Sequence, residues 1–149
     1  MDCVFCEFVS GRRKIHSSGY PFLVINETQN TISFMAIDIP ATEDGHLLVI
    51  PKNHFRYIGD LPKSVLHELI EHVSVVSKAL RKTHQGCNIL LNEGKSAGQK
   101  VLHAHFHIIP RDLGDNIKIE LWKRKKMSKS EFIRLNNRIK KLIRISSNQ

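Results

Sequence analysis

Runs of β-branched and aromatic residues, separated by turn residues, predict five strands. The five runs are YPFLVIN, TISFMAID, GHLLVIP, GCNILLN and KVLHAHFHII. The turn residues NETQN join the first two runs, so we expect a hairpin there. Pro51 ends the third run, because proline cannot donate to a strand ladder. The glycine-containing loop NEGKSAGQ joins the last two runs.

Apolar residues at helical spacing predict a short N-terminal helix, a long central helix and a C-terminal helix. The short helix falls in CVFCEFV. Pro62 suits the first turn of the central helix, whose apolar stripe consists of Leu66, Leu69, Val73, Val76 and Leu80. The capping-box pattern SKSE opens the last helix, and its stripe consists of Phe132, Leu135, Ile139 and Leu142. This order of elements is typical of an α+β fold with an antiparallel sheet of about five strands.

Composition restricts the class of protein further. The 149 residues, 41% of them hydrophobic, suffice for one domain, with a core at 1–111 and a basic extension at 112–149. No apolar run approaches the roughly 20 residues that a membrane helix needs. The N-terminus lacks the basic flank of a signal peptide. Three cysteines are an odd number for a disulfide framework, so we expect the reducing environment of the cytoplasm. Because no apolar run is long enough, we expect no membrane partner.

The net charge of +9 comes from the C-terminal segment. Residues 1–117 carry 12 basic and 12 acidic side chains, whereas residues 118–149 carry 11 basic and 2 acidic ones. Such a segment is either a solvated helix face or a surface that attracts acidic partners, including nucleic acid. Nucleic acid is therefore kept as a less favoured partner.

The stretch VLHAHFHIIPR carries histidines at alternate positions, His103, His105 and His107. On a strand, alternate residues share one face, which would leave Ala104, Phe106 and Ile108 on the core side. The outer two α-carbons would then lie roughly 13 Å apart. One zinc ion, which holds nitrogen at about 2.0–2.1 Å, does not bind all three comfortably. The three rings therefore either share an ion as a neighbouring pair or have separate tasks, such as nucleophilic or proton-transfer chemistry.

The loop NEGKSAGQK supports a phosphate site next to these histidines. Gly94, Ala97 and Gly98 are small enough for backbone N–H groups to approach an anion. Asn92 adds an amide donor and Lys100 a cation. Together with the histidines, the loop indicates a phosphate held against an imidazole.

The segment GQKVLHAHFHIIPR resembles the motif of the histidine triad (HIT) family. AIDIPATEDGHLLVIPKNH is similar to a second block of that family, and NEGKSAGQ has the length of its phosphate loop. The resemblance covers residues 3–111 and is to the nucleotide-binding branch, of the bacterial type with an N-terminal Cys-x-x-Cys. It implies a homodimer with a continuous sheet.

The resemblance implies that His105 attacks the α-phosphorus of a purine nucleotide. The nucleotidyl-histidine that forms is then hydrolysed to a nucleoside monophosphate. The other residues that the family pattern assigns to the nucleotide are Asp38, at the ribose hydroxyls, and His46, Asn92, Gly98, Gln99 and His107, at the phosphate. One position departs from the family, because Lys100 replaces a serine that touches the phosphate or leaving group.

The pair Cys3 and Cys6 is half of a tetrahedral zinc site, or else two small core residues. The resemblance implies that His54 and His103 complete the site and hold one structural zinc ion per chain. The remaining cysteine, tryptophan and histidines, without a distinct signal, are Cys87, Trp122, His16, His67, His72 and His84.

The leading functional hypothesis is an enzyme that hydrolyses nucleoside phosphoramidates or related aminoacyl adenylates. A second is a dinucleoside polyphosphate hydrolase, as in the fragile histidine triad branch, whose motif also ends in Pro-Arg. A third is a nucleotide sensor without meaningful turnover. Processing of nucleic-acid ends, as in the aprataxin branch, is a minor alternative, since no finger motif follows the triad.

Overall fold

The computed structural model describes residues 3–36, 45–119 and 126–146. The chain divides into two units, Met1–Ile117 and Lys118–Gln149. Its strands are β1 (Val24–Glu27), β2 (Thr31–Met35), β3 (Leu47–Pro51), β4 (Gly86–Leu91) and β5 (Phe106–Arg111). Its α-helices are α1 (Val4–Val9), α2 (Lys63–Leu80) and α3 (Lys129–Ser146), and two short 3₁₀ helices span Ile58–Asp60 and Lys95–Ala97.

The first unit is built on one five-stranded sheet with the order β1-β2-β3-β5-β4. Every neighbouring pair is antiparallel. The predicted α+β class, with an antiparallel sheet of about five strands, a long helix and a C-terminal helix, is therefore confirmed. β1 and β4 form the two edges of this sheet.

The central strand β3 is buried on both faces, and its alternate residues enter two separate cores. Leu47 and Val49 pack in a cluster with α2, whereas Leu48 and Ile50 pack in a cluster with α1. Alternate strand residues point to opposite faces of a sheet, so the two helices cover opposite faces. Such two-sided burial explains why GHLLVIP is a continuous apolar run.

The buried face of α2 is rotated slightly from the predicted stripe. Leu69, Val73 and Val76 are buried as predicted, but Val65 is the buried residue in the first turn. The predicted Leu66 and Leu80 are only partly buried against the same core.

A polar network attaches α2 to the hairpin of β1 and β2. Glu68 accepts hydrogen bonds from the backbone and the side-chain amide of Asn30, both at 2.7 Å, and a further one from Thr28. One turn later, the buried His72 contacts the hydroxyls of Thr31, at 2.7 Å, and Ser33, at 3.1 Å. Burial lowers the pKa of His72, so this ring is neutral at physiological pH. The network fixes the position of the helix on the sheet, which periodicity alone does not specify.

Strand β5 begins later than predicted, at Phe106 instead of Lys100. Its ladder with β3 starts at the pair Val49 and Phe106. Before that point the chain makes a different contact, because the backbone N–H of Ala104 donates to the carbonyl of Phe55 at 2.6 Å. His103 and His105 consequently precede the strand.

Helix α3 in the second unit starts with the predicted capping box. The backbone N–H of Glu131 donates to the Ser128 hydroxyl at 3.2 Å, and the Ser128 N–H donates to the Glu131 carboxylate at 2.8 Å. This reciprocal pair satisfies two of the donors that a helix N-terminus exposes. Across the described part of the chain, no helix combines the length and the apolarity needed to span a membrane.

Candidate functional site

Two cysteines and two histidines converge where α1 meets the end of β3. The ligand atoms of Cys3, Cys6, His54 and His103 all lie within 4.8 Å of one another. The Sγ–Nδ1 distances are 3.5 Å for Cys3–His103, 3.4 Å for Cys6–His54 and 3.6 Å for Cys6–His103. A tetrahedral ion with bonds of about 2.3 Å to sulfur and 2.0–2.1 Å to nitrogen separates such atoms by roughly 3.6 Å. The cluster therefore has the spacing of a four-ligand metal site and could hold a metal ion.

The surroundings of His103 also suit a metal ligand. Its side chain is fully buried, and its Nε2 lies 2.8 Å from the Pro51 carbonyl oxygen. An Nε2–H that donates to this carbonyl leaves Nδ1 without a proton and directed at the cysteines. Burial lowers the pKa of His103 to about 4, so the ring is neutral and its lone pair is available.

The Cys6 thiol of the cluster resists ionisation on its own. Burial, and then the hydrogen bond and charge of Cys3, raise the pKa of Cys6 to about 11. A divalent cation between the two sulfurs reverses this preference, because a coordinating thiol loses its proton. The cluster is therefore electrostatically suited to a cation.

His105 is held by the backbone of the preceding histidine. Its Nδ1 lies 2.6 Å from the carbonyl oxygen of His103, and the ring of Phe5 packs edge-on against it at 5.3 Å. An Nδ1–H that donates to this carbonyl places the lone pair on Nε2. The side chain is buried, and this burial lowers the pKa of His105. His105 is thus a neutral imidazole with one fixed tautomer.

His46 and His107 form a second imidazole pair beside His105. The Nε2 of His46 lies 2.7 Å from the Nδ1 of His107. The rings of His105 and His107 are 4.8 Å apart between centroids. Strand pairing accounts for this contact, since Leu48 lies opposite His107 and His46 precedes β3 by one residue.

The three triad histidines do not share one exposed strand face, which corrects the expectation from their alternation. His103 is turned into the cysteine cluster, and only His107 lies on β5. The reason is the backbone contact of Ala104 with Phe55, which replaces a ladder bond. The three rings consequently occupy two separate sites.

The loop between β4 and β5 depends on two glycines and one buried glutamine. Gly94 and Gly98 have φ angles of 85° and 89°, a region that favours glycine. The Gln99 side chain accepts from the Gly94 N–H at 2.9 Å and donates to the Arg56 carbonyl at 3.0 Å. Because both ends of this amide are engaged within the fold, the Gln99 side chain helps to fix the conformation of the loop.

A cavity of about 410 Å³ opens beside the imidazoles. Its polar wall includes His46, Asn92, Gly98, Lys100, His105 and His107. Its apolar wall includes Phe5, Phe8, Phe34, Ala36, Leu48 and Val101. A cavity of this size with one apolar wall and a few convergent polar groups is typical of a site for a small molecule.

Most of the residues that the sequence predicts at the nucleotide line this cavity. The cavity gathers every residue proposed for the nucleotide except Gln99 and Asp38. Asp38 lies outside the described residues. The cavity also includes Arg13, His16 and Ser17, which the sequence did not indicate. His16 carries no local motif, so no sequence signal distinguished it from a core residue.

Comparisons with known proteins agree with this geometry. The family model of the HIT domain matches residues 21–114. An uncharacterized HIT-like protein of Methanocaldococcus jannaschii is 33% identical over 89% of this chain and 96% of its own length. An adenosine 5'-monophosphoramidase of Schizosaccharomyces pombe is 36% identical over 74% of this chain and 75% of its own.

A solved structure extends the agreement to the fold. The crystal structure of a HIT family member from Bacillus subtilis superposes with a TM-score of 0.80 at 28% identity, covering 95% of this chain and 96% of that one. The matched family region contains β1 to β5, α2 and the three triad histidines. From the family model, the relatives and the shared fold together, the chain belongs to the HIT family.

Proposed function

We propose that the protein is a nucleotide hydrolase of the nucleotide-binding branch that cleaves purine nucleoside phosphoramidates or related adenylates at the α-phosphate. The observation that carries this proposal is the buried, neutral His105, whose Nδ1 is engaged by the His103 carbonyl at the wall of the cavity. This arrangement reserves Nε2 for attack on phosphorus. The 36% identity to a relative named adenosine 5'-monophosphoramidase supports the same substrate class.

The first chemical step transfers the nucleotidyl group to His105. The Nε2 lone pair forms a bond to the α-phosphorus while the phosphorus–nitrogen bond of the substrate breaks. The leaving amine needs a proton, and the adjacent pair His46–His107 is suited to deliver it, since imidazoles exchange protons near neutral pH. The product of this step is a covalent nucleotidyl-histidine and a free amine.

The second step hydrolyses the intermediate. A water oxygen attacks the phosphorus, the phosphorus–Nε2 bond breaks, and a nucleoside monophosphate leaves with a neutral His105. The proton that the water loses returns to the imidazole pair. Asn92, the Gly98 backbone and Lys100 stand on the polar wall, where donors and positive charge stabilise the negative oxygens of both transition states.

Lys100 favours a second candidate, the hydrolysis of dinucleoside polyphosphates. Its cationic side chain lines the cavity at a position where the family pattern has serine. A dinucleoside polyphosphate has more phosphates than a phosphoramidate, so it places more negative charge near this cation and is attracted more strongly. The same His105 chemistry would apply, with a nucleotide instead of an amine as the leaving group.

We propose zinc as the metal of the cysteine–histidine cluster, with Cys3, Cys6, His54 and His103 as its four ligands. Two thiolates and two imidazoles are a common tetrahedral zinc set, and four protein ligands leave no open position for catalysis. The ion would therefore be structural and would tie the start of α1 to the end of β3.

We propose a single HIT-like domain with a basic extension, and a cytoplasmic homodimer in which sheets join at an edge. At the β4 edge, Ile89 is 46% exposed, which provides apolar surface for such a contact. Residues 126–146 carry seven lysine and arginine side chains and one glutamate. Because this segment is basic, we retain nucleic acid as a less favoured partner.

Replacing His105 with alanine should abolish turnover of adenosine phosphoramidate and leave binding of nucleoside monophosphate largely intact. The nucleophile is lost, whereas the rest of the cavity wall remains. Steady-state kinetics and calorimetric binding measure the two effects. His67→Ala is the matched control, because His67 is exposed on α2. Near-normal turnover by His105→Ala would contradict the mechanism.

Freshly prepared protein should contain about one zinc ion per chain. Cys3→Ser or His54→Ala should lower both the zinc content and the melting temperature, because the ion binds only the folded chain. Metal analysis and thermal unfolding test this. Cys87→Ser should keep the zinc, since Cys87 lies outside the cluster. Protein purified without chelators that contains no zinc would refute the ligand assignment.

Replacing Lys100 with serine should shift kcat/KM toward phosphoramidates and away from dinucleoside polyphosphates, by roughly 5- to 10-fold in ratio. A cation near several phosphates is worth on the order of 1 kcal/mol at an effective dielectric constant near 20. Lys95→Ser, on the same loop, should leave the ratio unchanged. An unchanged ratio in Lys100→Ser would mean that Lys100 does not act on the phosphates.

A further inference from the structure

Arg13 and His16 line the cavity, and a chain of aromatic contacts connects His16 with His105. Phe5 contacts His105, and Phe5 in turn contacts Phe34 at 5.6 Å. Phe34 contacts Phe8 at 6.4 Å, and Phe8 contacts His16 at 4.6 Å. The wall therefore runs from the proposed nucleophile, across phenylalanine rings, to His16. A nucleotide with its α-phosphate at His105 would direct its base along this wall.

His16 is buried, and one of its two ring nitrogens has no hydrogen-bond partner in the described part of the chain. Only 7% of the residue is exposed, and Nδ1 has no partner among the described residues. Burial, and then the charge of Arg13, lower the pKa of His16, so the ring is neutral with one N–H group. The Nδ1 atom is closed off from the surface, so a ligand in the cavity meets the other side of the ring.

The proton of the neutral His16 ring lies on one of its two nitrogens. A buried N–H without an acceptor is rarer in proteins than an under-satisfied acceptor. We therefore place the proton on Nε2 and leave Nδ1 as the unpaired acceptor within the fold. His16 then contributes a donor to the cavity.

Arg13 adds donors and no acceptor to the same region. Its guanidinium lies 3.4 Å from the Glu7 carboxylate and 6.0 Å from the centre of the Phe8 ring. The planar group can donate two parallel hydrogen bonds to neighbouring acceptors. This region therefore combines an aromatic surface for stacking with two residues that donate.

We propose that Arg13 and His16 recognise the nucleobase and make the protein prefer guanine nucleotides over adenine nucleotides. The inference rests on the proposed function, since it takes a nucleotide as the ligand. It specifies which purine the cavity selects.

The preference follows from the edges of the two bases. Guanine presents two neighbouring acceptors, O6 and N7, whereas adenine presents the acceptor N7 beside the donor amino group at N6. Two donors in the cavity pair with both guanine acceptors. With adenine, one donor faces an amino group and remains unpaired. A ligand that leaves a polar group of its site unpaired is rejected more strongly than one that differs only in apolar size.

Calorimetric titration with GMP and with AMP tests the proposal directly. The unmodified protein should bind GMP at least about 5-fold more tightly than AMP, the lower end for one well-formed base contact. Arg13→Gln and His16→Phe should each reduce the ratio to within about twofold, since His16→Phe keeps the ring packing but loses the N–H. Arg12→Gln is the matched control and should keep the full ratio, because Arg12 contacts Ser10 and does not line the cavity.

Equal or tighter binding of AMP to the unmodified protein would overturn the inference, as would a full GMP preference in Arg13→Gln. If His16→Phe does not fold, Arg13→Gln alone decides. Binding is measured without turnover, so the base preference is tested independently of the hydrolase activity. A GMP preference without phosphoramidate hydrolysis would refute only the proposed function. Hydrolysis with no base preference would refute only this inference.

Discussion

The position of His103 is the constraint on which both sites of the protein depend. Its ring faces Cys3 and Cys6, and its carbonyl oxygen lies 2.6 Å from Nδ1 of His105. One residue thus belongs to the cysteine–histidine cluster through its side chain and orients the proposed nucleophile through its backbone. Pro51 completes the arrangement by accepting from the far side of the His103 ring. Movement of His103 would disturb the metal ligands and the tautomer of His105 together.

Helix α1 connects the same two sites through packing. Its N-cap residue Cys3 and its first-turn residue Cys6 belong to the cluster, while Phe5 and Phe8 face the cavity. A helix of six residues is too short to be stable alone in water, so its position depends on these contacts. In this account the metal takes no part in the chemistry but holds α1, whose phenylalanines form part of the wall against which the nucleotide lies.

The sequence predicts most of the elements, because their periodicity is local. The stripe of α2, the capping box of α3 and the run of β3 each follow from residues close together in the chain. The start of β5 does not, since it is decided by a contact between Ala104 and Phe55, which are far apart in sequence. The pair Cys3 and Cys6 likewise indicates half of a metal site, and its partners lie 48 and 97 residues away from Cys6. His16 was missed for the same reason: its place in the cavity depends on packing against Phe8 and Phe22.

The central claim is that a nucleotidyl group passes through His105. Rapid acid-free quenching of the protein with excess adenosine phosphoramidate, followed by peptide mass spectrometry, tests it most directly. The account predicts a transient adenylyl adduct on a peptide that contains residues 101–111, with fragment ions that place it on His105. An adduct on another residue, or turnover with no adduct at any time point, would contradict the account.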